Sequence, residues 1–100
     1  MYSSSVSVSN RLRRIFLSKH AAKRSQQRGI GPDSAQLIKT FGERSHDGNG
    51  AVRYVMNDRA MKRLVLILGR NQRIDALSGA YIVVDAANES LVITIGHRWN

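Results

Sequence analysis

One hundred residues without an internal repeat leave room for one domain with one modest core, and the 42% hydrophobic content is ordinary for a soluble globular chain. Cysteine is absent, which excludes disulfides and thiolate zinc sites and suits a cytoplasmic setting. Sixteen Lys and Arg against seven Asp and Glu give a formal charge of +9. Twelve of the sixteen are arginine, whose planar fork binds phosphate bidentately, so nucleic acid or an acidic protein is the expected partner. No stretch approaches the roughly 18 apolar residues of a membrane span, and no charged leader precedes an apolar run; neither a membrane partner nor a secretory signal is expected.

Residues 1–10, MYSSSVSVSN, are too polar to anchor a core and read as a flexible tail, leaving 11–100 as a single domain. Arg11, Arg13 and Arg14 form a basic arm, and Ile15, Phe16 and Leu17 a short strand feeding the first helix. Ser18 can cap that helix and Gly29 can end it, which bounds it at Lys19 and Arg28. Within it His20, Arg24 and Arg28 recur every four residues and share one ridge, while Ala21, Ala22 and Ser25 offer a narrow small-residue face to whatever lies beneath. Pro32 opens a second helix, with Asp33 beside the positive end of its dipole, Ala35, Leu37, Ile38 and Phe41 as its buried side, and Gly42 as its stop.

ERSHDGNG, residues 43–50, is polar and glycine-rich and reads as a mobile loop; it lacks the ligand alternation of a calcium loop. A strand follows over 51–57; in DRAMKRLVLILG the run LVLIL alone fits a buried strand, but Met61, Leu64, Val65 and Leu68 fit helical spacing, which favours a helix from Asp58 to Leu68 that Asn57 can cap and Gly69 can end. RNQRIDALSG is a basic connection with a helical turn. AYIVVD and LVITIGH, separated by AANES, form a closing antiparallel hairpin in which Leu91, Ile93 and Ile95 share one face and Val92 and Thr94 the other. The two basic blocks, seven cations and no acid in 1–32 and five more and no acid in 59–73, flank a mixed centre.

The helix His-Ala-x-x-Arg-x-x-x-Arg-Gly-Ile near the start, a short second helix, a strand carrying Tyr54 and a hairpin ending Ile-Thr-Ile-Gly-His-Arg resemble an uncharacterised branch of the RelE-like toxin superfamily over about residues 14–98. The resemblance implies an α+β fold with N-terminal helices packed on a small antiparallel sheet. It also implies RNA cleavage without a metal or cofactor, or binding to an acidic antitoxin, since characterised relatives are mostly ribonucleases kept silent by partner proteins. Other members inhibit a topoisomerase and cut nothing. The matching positions, His20, Arg24, Arg28, Thr94, His97 and Arg98, are the candidates carried over.

Cleavage through the 2′-hydroxyl needs a base, an acid for the leaving 5′-oxygen and cations for the phosphorane. An ordinary imidazole titrates at about 6.5, close to working pH, so His20 and His97 are expected as base and acid in either order, with Arg24 and Arg28 on the phosphate oxygens. Thr94 or Tyr54 would add a neutral hydrogen bond, and Arg14, Lys23 and Arg98 further substrate contacts. Tyr81 and Trp99 are candidates for base stacking. The three histidines at 20, 46 and 97 lack chelating spacing, so no metal site is expected. The alternative is a non-catalytic basic module that binds nucleic acid, the ribosome or an acidic partner protein.

Overall fold

The computed structural model describes residues 11–98; the N-terminal decapeptide and Trp99 lie outside them. Two hydrophobic periodicities organise the chain, the helical one in its first half and around residue 60, and the alternating one at 51–55 and beyond 80. They produce β1 (Phe16–Leu17), α1 (Lys19–Arg28), α2 (Pro32–Phe41), β2 (Glu43–His46), β3 (Ala51–Val55), α3 (Asp58–Leu68), α4 (Gln72–Asp75), β4 (Ala80–Asp85) and β5 (Asn88–His97). The protein is therefore α+β, with a five-stranded sheet in the order β1-β5-β4-β3-β2.

The sheet is mixed, not wholly antiparallel as the sequence suggested. β1 runs parallel to β5, Phe16 opposite Leu91 and Leu17 opposite Val92, while every other pair is antiparallel. The two-residue β1 takes the outer edge beside β5, and the chain passes from there directly into α1. On the helix-covered side Val52, Tyr54, Ile82, Val84, Val92 and Ile95 meet Ala21, Ile30, Ala35, Ile38, Ala60 and Leu64, all within the core. Ala21 and Ser25, one turn apart on α1, are buried against β5, which small side chains allow at close approach.

Helix boundaries fall where the local chemistry puts them. Ser18 Oγ accepts the Ala21 amide at 3.0 Å, and Gly29, at φ 66°, turns the chain out of α1. Asn57 and Asn71 cap α3 and α4 in the same way, through the amides of Ala60 and Ile74. Gly42 is required at the end of α2 by contact: a Cβ there would stand 2.6 Å from the Ile38 carbonyl oxygen.

Three sequence expectations give way. Residues 43–46 are strand β2, because β3 supplies the hydrogen-bond partners that the polar sequence does not advertise. Asp47 closes that hairpin by accepting the amides of Asn49 at 2.7 Å and Ala51 at 3.1 Å, which also holds its carboxyl below the usual range. The last hairpin turns at residues 86 and 87 alone, since β5 begins at Asn88. The even alternation expected along β5 is broken: Val83 pairs with Thr94 but Val84 with Val92, so Ile93 is an extra residue. The bulge puts Val92 and Ile95 on the same inner face and leaves Ile93 37% exposed.

Candidate nucleic-acid interface

β1 is only two residues long, so β5 continues past it with an unpaired edge. Ser18 covers the first part, its amide donating to the Val92 carbonyl at 2.9 Å and its hydroxyl to that of Ile93 at 3.1 Å. Helix α1 covers the rest. Arg24 Nε donates to the Ile95 carbonyl at 3.4 Å, and His20 Nε2 lies 3.1 Å from Thr94 Oγ1, a hydrogen bond whose direction follows the imidazole tautomer. Among the described residues His20 Nδ1 has no hydrogen-bond partner, and the ring is exposed.

The ridge foreseen on α1 is thus present and anchored on β5. Lys23 and Arg28 are exposed on the same helix, and α1 carries Lys19, Lys23, Arg24 and Arg28 with no acid. Lys19 and His20 stand at the positive end of the helix dipole, an arrangement unfavourable to the isolated helix and favourable to an anion beside it.

Thr94 brings this ridge to the sheet face opposite the helical core. Its neighbour across the strands is Val83, then Arg53, and two residues further along β5 Gly96 pairs with Tyr81. The Tyr81 ring lies directly over Gly96: a Cβ at that position would be 2.8 Å from the hydroxyl oxygen and 2.9–3.0 Å from the ring. Arg53 stands over the same ring, 5.6 Å from its centroid. His20, Arg24, Thr94, Tyr81 and Arg53 therefore form one strip that crosses from helix to open sheet. Arg53 was missed from sequence, and Tyr81 was seen there only as a stacking candidate. The signal was a glycine opposite a tyrosine in adjacent strands, readable once the register is known.

The remaining candidates are dispersed. His97 is three residues from Thr94 and pairs with Ala80, so it alternates to the other face of β5, where Nε2 lies 3.3 Å from the Ala76 carbonyl. The two imidazoles thus have separate partners on opposite sides of the strand. Arg98, whose amide donates to Gly79 at 2.7 Å, lines a groove with Asn57, Asp58 and Ser78, and Arg14 lines another with Phe16, Pro32, Asp33 and Gln36.

Tyr54, expected from sequence to touch substrate, is fully buried and its hydroxyl donates to Glu89 at 2.6 Å. Arg44 binds the same carboxylate through Nε at 3.1 Å and Nη2 at 2.5 Å. Arg11 and the buried Lys39 lie 5.2 and 5.5 Å from the Tyr54 ring centroid. The bond to Arg44 holds Glu89 below the usual carboxylate range, burial and Glu89 push Tyr54 up to about 12, and burial lowers Lys39. Tyr54 is a structural member of the fold for this reason.

Among the described residues no group of three or more His, Cys, Asp or Glu is placed to hold a metal ion, and no helix is long and apolar enough to cross a membrane. Compared with protein-family models, curated proteins and solved structures, the chain matches none.

Proposed function

We propose that this protein is a RelE-like, metal-independent endoribonuclease toxin acting on RNA in the cytoplasm, with His20 as its catalytic residue. The observation that carries the reading is the His20–Thr94 hydrogen bond on an exposed cationic ridge. Thr94 holds the exposed imidazole through Nε2, which leaves Nδ1 to take the proton of a 2′-hydroxyl. The 2′-oxygen then attacks the adjacent phosphorus, the bond to the 5′-oxygen breaks, and the imidazolium returns its proton to that leaving oxygen. The products are a 2′,3′-cyclic phosphate and a 5′-hydroxyl. Arg28, Lys23 and Arg24 stabilise the phosphorane, Arg24 while held against Ile95. Tyr81, braced on Gly96, gives a neighbouring base a stacking surface.

The test is cleavage of end-labelled RNA in EDTA, free and on ribosomes, by the protein and by His20→Ala and His97→Ala. The reading expects cyclic-phosphate ends, a fall of about 10²–10⁴-fold for His20→Ala, and little change for His97→Ala. Unchanged cleavage by folded His20→Ala would overturn it.

The second reading, a binding module that cuts nothing, is favoured by the position of His97 at Ala76, which leaves a single imidazole on the ridge. It expects intact RNA under all these conditions and an affinity that falls with salt. Three ridge cations on single-stranded phosphates give a log–log slope of about −2.

A further inference from the structure

The turn between β2 and β3 carries two successive dipeptides, Asp47-Gly48 and Asn49-Gly50, in which the glycine nitrogen can attack the preceding side-chain carbonyl and close a succinimide ring. Closure needs an unoccupied glycine amide, a side chain able to swing toward it and a group that can leave. The fold treats the two dipeptides differently.

Asn49 meets every condition. Residues 47–50 are exposed, and among the described residues neither the Asn49 side-chain amide nor the Gly50 backbone amide has a hydrogen-bond partner. Beyond its chain neighbours no atom lies within 4 Å of the place a Cβ of Gly50 would take, so nothing screens the nitrogen. Ammonia is the leaving group. Asp47 fails at its carboxyl, because Oδ1 accepts the amides of Asn49 at 2.7 Å and Ala51 at 3.1 Å. Those bonds favour the ionised form, whereas expelling water needs the neutral acid.

We propose that Asn49 is a self-modification site, converted through a succinimide with Gly50 into aspartate and isoaspartate while Asp47 stays intact, and that isoaspartate at 49 loosens the tip of β2. The Gly50 nitrogen gives its proton to water and bonds to Asn49 Cγ, from which ammonia departs with a proton taken from water. A water molecule then opens the ring. Breaking the new Cγ–N bond leaves aspartate; breaking the original backbone C–N bond leaves isoaspartate, whose main chain runs through the side chain and is one methylene longer.

The extra methylene falls between the two amides that Asp47 Oδ1 spans. It cannot be absorbed on the β3 side, where the Gly50 carbonyl accepts the Ala86 amide at 3.1 Å and Ala51 pairs with Asp85. β2 has β3 as its one neighbour in the sheet, so the displacement passes to β2. Glu43 and Arg44 stay anchored by Asn57, Arg59 and Glu89, which confines the loosening to residues 45–47. None of the α1 ridge is involved, so the proposal is independent of RNA cleavage.

The test incubates the protein and a synthetic peptide of residues 45–53 in warm neutral buffer made with heavy-oxygen water. Mass spectrometry of proteolytic fragments locates the incorporated oxygen, and isoaspartyl methyltransferase with labelled S-adenosylmethionine reports isoaspartate. The expected result is conversion at 49 in the folded protein at a rate within about tenfold of the peptide's, and no change at 47 in the fold although the peptide reacts at both. Asn49→Gln, at an exposed side chain without a partner, abolishes the methyl acceptance. In the aged protein the Asp47 amide, bonded to the Ala51 carbonyl at 3.1 Å, exchanges its hydrogen at least about tenfold faster while the core amides keep their rates. The proposal is overturned if Asn49 survives in the fold while the peptide reacts, if the label appears at 47, or if the isoaspartyl product keeps the native exchange rate at Asp47.

Discussion

The Tyr54–Glu89–Arg44 cluster allows the physical reasoning to be tested without reference to any substrate. Glu89→Ala removes the acceptor of a fully buried tyrosine hydroxyl and both bonds of the Arg44 guanidinium. Breaking one partner out of a buried ion pair costs about 3–5 kcal/mol, and an unsatisfied buried hydroxyl about 1–3 kcal/mol. The Arg44 side chain is 35% exposed and regains water, so these do not simply add; the expected loss is about 2–4 kcal/mol. For a domain of this size that lowers Tm by about 10–25 °C. Glu89→Gln keeps an acceptor for Tyr54 but not the charge, and is expected to lose about half as much.

The pH dependence supplies a second readout. An unfolded glutamate titrates at about 4.3, and Glu89 in the fold is held lower by its bond to Arg44, so in acid the unfolded chain binds the extra proton. The stabilisation is therefore complete above about pH 5 and is lost as pH falls through the folded value. Urea midpoints from pH 7 to pH 3 should fall more steeply for the native protein than for Glu89→Gln. A Glu89→Ala loss below about 0.5 kcal/mol, or equal slopes for the two proteins, would refute the reasoning.

Three further substitutions separate fold from site. Gly42→Ala forces a Cβ to within 2.6 Å of the Ile38 carbonyl oxygen and 3.1 Å of the Val55 nitrogen, backbone atoms that cannot swing aside, so a loss of about 2–3 kcal/mol is expected in urea denaturation. Gly96→Ala meets only the distal atoms of Tyr81, which can turn outward; stability should change by less than about 1 kcal/mol while RNA affinity falls about tenfold with the stacking surface. Ser18→Ala loses the cap on the Ala21 amide and the bond to the Ile93 carbonyl, an expected cost of about 1 kcal/mol, with faster hydrogen exchange in the first turn of α1.

Residues 18–42 were legible because their chemistry is local. A serine two residues before His20, a glycine after Arg28 and a proline at the start of the next helix act on the turns they touch, and the four-residue spacing of His20, Arg24 and Arg28 defines a ridge wherever the helix packs. The same holds for α3 between Asn57 and Gly69. The site was half legible for that reason: its helical side could be named, but the groups facing it could not.

What the sequence by itself determined is the two N-terminal helices and the cationic ridge of α1, both consequences of spacing within a few residues. Tertiary structure alone decided that β1 joins β5 in parallel, that ERSH becomes a strand, and that a bulge at Ile93 puts Val92 and Ile95 on the same side. The single extra residue changes which side chains each face of β5 presents, and with it the partner of His20. Thr94, 74 residues away in sequence, meets His20, while His97 turns to Ala76. Strand pairing is a long-range choice in which a shift of one position exchanges the faces of everything beyond it, so no local pattern could have settled which side chain of β5 meets His20 on the ridge.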